Sequence, residues 1–119
     1  MNLHPDFVFD HLGVPTTVSR PGELFVAATK VWVTNPRKHP FNVEFLRFED
    51  DSEVTGPLRD KHHTAYRVSN LSDALSGHEI LAEPFRPAER FATVAFIMYD
   101  GEVIEFMEFD DPENTEWFG

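Results

Sequence analysis

No cysteine occurs in this 119-residue chain, so disulfides and thiolate metal sites are excluded, and any metal must be held by histidine, carboxylate and water. Basic residues are scarce as well. Ten Lys and Arg stand against 21 Asp and Glu, a formal net charge of −11 without any basic cluster, which argues against a nucleic-acid partner. No apolar run approaches the ~18 residues of a membrane span, and Met1-Asn2-Leu3-His4-Pro5-Asp6 lacks the basic-then-apolar pattern of a signal peptide. The expected location is therefore the cytoplasm, with no membrane partner. Helix signals are also few: two prolines and a glycine within 15–22 (Pro15, Pro21, Gly22) rule out a regular helix of useful length there.

Against these absences stands a repeat. Asn42-Val43-Glu44-Phe45-Leu46-Arg47-Phe48 is nearly rewritten as Val103-Ile104-Glu105-Phe106-Met107-Glu108-Phe109, and each copy runs into an acidic turn. A histidine-bearing stretch precedes each copy: Asp10-His11-Leu12-Gly13-Val14 in the first half and His62-His63-Thr64-Ala65-Tyr66-Arg67-Val68 in the second. His11 lies 33 residues before Glu44 and His63 lies 42 before Glu105. The additional residues have a place in Ser69 to Gly77, where Ser69 or Asn70 can cap a short helix, Leu71, Ala74 and Leu75 form its apolar stripe, and Gly77 ends it. Duplicated halves that pair with one another build a single pocket between them.

The length fits about one domain. We read it as 1–119, with a first module over 7–53, a second over 61–110 and a tail over 111–119. Strands are expected at 7–14, in one or two pieces over 23–34, and at 41–48, 62–68, 79–84, 92–99 and 103–109, with Asp100-Gly101 as a hairpin turn between the last two. In the first strand, simple alternation puts Phe7, Phe9, His11 and Gly13 on one face and Val8, Asp10, Leu12 and Val14 on the other. About eight strands and one short helix make an α+β domain dominated by sheet. The tail ends in Trp117 and Phe118, which a solvated tail rarely carries, so it is expected to dock on a neighbour.

Taken together, the Asp10–Val14 and His62–Val68 stretches, Leu71-Ser72-Asp73-Ala74-Leu75 and the closing Gly101–Met107 resemble the vicinal oxygen chelate superfamily, which includes the glyoxalases, bleomycin-resistance proteins and methylmalonyl-CoA epimerase. The resemblance covers roughly residues 7–110. It implies two βαβββ modules forming a curved, cup-like mixed sheet around a divalent metal, with the ligand positions on His11, Glu44, His63 and Glu105. It departs from the family pattern in the first module, whose helix is shortened or absent. Val8, Leu12 and Val14 are then short of cover, and a homodimer is expected to supply it.

The residue types support the same quartet. Two imidazoles and two carboxylates suit Zn, Ni, Co, Mn or Fe, and an ion held by them polarises a carbonyl so that the adjacent carbon loses a proton. Glu105 or Glu44 is the candidate base, and the expected activity is that of a lyase or isomerase of the epimerase or glyoxalase I type acting on a small molecule. A single mid-strand glutamate ordinarily faces water, and a lone histidine on an apolar face is more often structural than a ligand. Recurrence in both halves shifts the balance toward a site. His62 and His63 point to opposite faces of an extended strand, and His63 is preferred because Ala65 and Arg67 share its side. Arg67, Tyr99, Trp32 and Phe96 are the candidate substrate-binding residues, with a surface ion pair the competing role for Arg67. His4, His39 and His78, at ends and turns, are expected to be solvated. Two other functions fit less well: a metal-free module that sequesters a small molecule in an aromatic cleft, and an Fe(II) ring-cleaving dioxygenase, whose open two-His-one-carboxylate face a fourth ligand would crowd.

Overall fold

A computed structural model describes residues 6–118. Its eight strands, β1 (Val8–Pro15), β2 (Leu24–Val26), β3 (Val31–Val33), β4 (Val43–Phe48), β5 (His63–Arg67), β6 (Glu79–Phe85), β7 (Ala92–Tyr99) and β8 (Glu102–Phe109), form one curled mixed sheet. The strand order is β2-β3-β4-β1-β5-β8-β7-β6. This order is the same on either side of the β1/β5 seam. β1 pairs parallel with β4, β5 pairs parallel with β8, and the two halves join where β1 meets β5 antiparallel. The expected cup-like α+β architecture is what the chain adopts.

Alternation along the strands sorts the side chains into two layers. On the concave face, Val94 and Phe96 of β7 and Val103 and Met107 of β8 join Val26, Val31 and Val33 in the larger core. The alternate residues, Ala95 and Ile97 of β7 and Phe106 of β8, face outward and meet a short helix, α2 (Leu71–Leu75). Asn70 caps α2 by accepting from the Asp73 amide, and Leu71, Ala74 and Leu75 turn inward, as the stripe requires. A second short helix, α1 (Pro57–Asp60), follows Gly56 in a stretch whose Gly-Pro pair reads as plain punctuation; proline at its first turn makes it a helix start instead. Asp100 and Gly101 both take positive φ, 53° and 79°, the conformation that a two-residue hairpin turn demands.

The first half has no counterpart of α2. Residues 16–23 run as loop, and outside β1 the side chains of Val8 and Phe9 remain 49% and 46% exposed. Simple alternation fails in β1 itself. The β1–β5 register shifts between Phe9 and His11, so Asp10 and His11 are both buried while Phe9 is not. The aromatic tail docks on its own chain: Trp117 stacks on Phe118 and meets Phe91 and His11 edge-on.

Candidate metal centre

The four central strands carry the quartet in two rows. In the first row, Glu44 of β4 lies beside Gly13 of β1, which lies beside His63 of β5. In the second, His11 of β1 lies beside Ala65 of β5, which lies beside Glu105 of β8. Each row places one histidine and one glutamate on the concave face with a small residue between them. A Cβ at Gly13 would run into the His63 ring, so the glycine is what lets that ring lie across β1.

All four side chains are buried. His11 Nε2 lies 3.3 Å from Glu44 Oε1 and 3.3 Å from Glu105 Oε1; His63 Nε2 lies 3.6 Å and 3.1 Å from the same two oxygens. Neither Nε2 makes a hydrogen bond among the described residues. Donors held about 2.0–2.2 Å from one ion stand roughly 3.0–3.5 Å apart in octahedral or tetrahedral arrangements. Three of the four separations fall in that range and the fourth, His63 to Glu44, lies just outside it. The donor atoms of His11, Glu44 and His63 lie within 4.8 Å of one another, and this group can hold a metal.

The opposite side of His11 is fixed by charge. Its Nδ1 lies 2.6 Å from Asp10 Oδ2, and Asp10 is itself gripped by Arg37 through bonds of 2.8 and 3.0 Å. Burial pushes the Asp10 carboxyl up, but His11 and Arg37 outweigh it and hold the group below its ordinary range. An ionised Asp10 accepts, so His11 Nδ1 donates and Nε2 faces the quartet. Burial opposes a charge on His11, yet Glu44, Asp10 and Glu105 together raise it well above 6.5. Burial also pushes Glu105 up, but the two imidazoles pull it down to about 2.

In front of the quartet lies a cavity of about 260 Å³, walled mainly by aliphatic and aromatic side chains and reaching Glu44, His63 and Glu105. Phe96 lies on its wall and meets the His63 ring edge-on at 5.2 Å. The other candidate substrate contacts lie elsewhere. Arg67 directs Nε toward Asp10 Oδ1 at 3.3 Å, because the bulge brings Asp10 to its side of the sheet. Trp32 points to the opposite face of β3 from Val31 and Val33 and donates to Glu49 at 2.7 Å. Tyr99 sits at the hairpin end, 62% exposed, and packs on His78. His62 is exposed and His63 buried, in line with the choice between them. His39 and His78 are half-buried, His39 accepting from the Phe41 amide, so both are less solvated than their positions in turns suggest. His4 falls outside the described residues.

Three participants were not read as part of the site. Asp10 and Arg37 were hidden because the bulge breaks the alternation that assigned Asp10 outward. Trp117 was visible only as an unusually aromatic tail. Its ring lines the cavity, its Nε1 is buried without a hydrogen-bond partner among the described residues, and Arg37 reaches the Thr115 carbonyl at 2.9 Å beside it.

No protein-family model and no curated protein sequence matches the chain. Solved structures do. A hypothetical protein from Bacillus halodurans C-125 superposes with a TM-score of 0.68 at 19% identity, over 92% of this chain and 99% of that one. Methylmalonyl-CoA epimerase from Mycobacterium tuberculosis superposes with a TM-score of 0.60 at 15% identity, over 93% of each chain. The likeness is one of fold.

Proposed function

We propose that the protein is a member of the vicinal oxygen chelate superfamily and a divalent-metal-dependent lyase or isomerase that removes a proton next to a carbonyl group of a small molecule. The observation that carries this reading is the meeting of His11, Glu44, His63 and Glu105 at one buried point, with both Nε2 atoms uncommitted. His11 and His63 would hold the ion, and Glu44 and Glu105 would offset its charge. When bound, the ion supplies Lewis acidity that polarises the carbonyl oxygen and favours loss of the neighbouring proton. Both carboxylates open onto the cavity, and either can receive that proton if it stands beside the reacting carbon. The walls around them are mainly apolar.

A metal-free sequestering module is the second reading, favoured by the aromatic lining of the cavity. Metal analysis separates the two. After incubation with Zn, Ni, Co or Mn and removal of excess, wild type should retain about one equivalent of metal, and Glu105→Ala should bind on the order of tenfold more weakly or worse. Equal, negligible metal in both proteins, with retained small-molecule binding, would favour the sequestering module.

A further inference from the structure

No lysine or arginine lies among the residues that wall the cavity. The ionisable groups that reach it are Glu44, His63 and Glu105, so the field inside is set by two acids and whatever cation balances them. Arg59 lies over the Phe48 ring at the wall and donates to the Val54 and Glu49 carbonyls, and several other basic side chains are paired elsewhere. Arg37 is bound to Asp10 and the Thr115 carbonyl, Arg47 to Glu23, Arg86 to Asp110 and Lys30 to Asp51. A carboxylate or phosphate entering this space without a metal would lose its water and gain no basic side chain as partner, a penalty that uncharged compounds escape. The chain's net charge of −11 adds repulsion during approach.

The wall narrows the class further. Phe85, Phe91, Phe96 and Trp117 offer ring faces and edges to a flat or branched apolar body.

We propose that the cavity takes an uncharged carbonyl compound with an aryl or branched-alkyl body, and turns away its anionic counterparts. The carbonyl part rests on reading the quartet as a metal site; the exclusion of anions rests on the cavity wall alone. Two compounds matched in shape isolate the charge: 4-nitroacetophenone, which is neutral, and 4-acetylbenzoate, in which a carboxylate replaces the nitro group.

Isothermal titration calorimetry on the full chain, metal-stripped and zinc-loaded, should find the neutral ketone bound at least about tenfold more tightly than the anion by metal-stripped protein, with the gap narrowed in zinc-loaded protein, where the ion offers a carboxylate a partner. Ala28→Arg, which brings a cation to an exposed position on the cavity rim, should raise the affinity for 4-acetylbenzoate several-fold and leave that for 4-nitroacetophenone unchanged. Equal or tighter binding of the anion by the metal-stripped wild type overturns the proposal, as does failure of both compounds to bind in the millimolar range. Zinc content, measured on the same samples, separates this outcome from failure of the metal reading. Protein that holds no zinc yet prefers the neutral ketone upholds exclusion of anions and removes the metal from the account.

Discussion

Asp10 decides how His11 is presented. It accepts from Nδ1 at 2.6 Å while Arg37 grips both of its oxygens, which leaves the opposite ring nitrogen for the quartet. Asp10→Asn keeps the shape and removes the charge. We expect it to weaken metal binding about 10–100-fold in competition with a chromophoric chelator, with the far-ultraviolet circular dichroism retained. Unchanged affinity would show that His11 is oriented by packing alone. The same carboxylates predict how the metal-free protein responds to acid. Asp10 and Glu105 both lie below their ordinary values of 3.8 and 4.5, Glu105 at about 2. A carboxyl held down by the fold contributes stability above its unfolded pKa and loses it as the pH falls through the folded one. Urea midpoints should therefore drop between about pH 4.5 and pH 2. Glu105→Gln should flatten the drop; an equally steep decline in that variant would assign it to other groups.

At the scale of elements, β1 and β5 each carry a histidine followed two residues later by a small residue, His11-Leu12-Gly13 and His63-Thr64-Ala65. Across the seam each small residue stands beside the partner strand's histidine. This spacing was in the sequence, but only the antiparallel register gives it meaning. Gly13→Ala is the sharpest perturbation available, because the added Cβ must displace the His63 ring. It should lower metal affinity by about tenfold or more while the sheet, whose ladder it leaves intact, stays folded. Affinity equal to wild type would mean that the His63 ring position does not matter. The two glutamates were legible because they recur in matching strands, and strand parity separated His63, which is buried, from His62, which is exposed. Parity failed where the strand was not regular. Asp10 went unrecognised because of the bulge, and of the two roles open to Arg67 it is the ion pair, with Asp10, that the structure has. Trp32 was misplaced for a different reason: its strand is only three residues long, too short for its sequence to say which face turns inward.

Across the whole molecule, duplication was the legible feature, since two Glu strands, two His strands and one short helix already imply a sheet closed around a shared centre. The return of the tail was not legible. Trp117 reaches His11 across more than a hundred residues, and no local pattern encodes such a contact. The missing first helix was readable from Pro15, Pro21 and Gly22, but of the residues expected to lack cover only Val8 is exposed, while Leu12 and Val14 are half-buried. Among the described residues no helix is long and apolar enough to cross a membrane.

The central claim is that donors from both halves grip one ion. Anomalous diffraction from crystals of the zinc-loaded protein, recorded on either side of the zinc absorption edge, tests it most directly. The account predicts a single strong peak about 2.0–2.2 Å from His11 Nε2 and His63 Nε2, with Glu44 or Glu105 oxygens at similar range. A peak held by surface acids alone, or none between the two imidazoles, would contradict it.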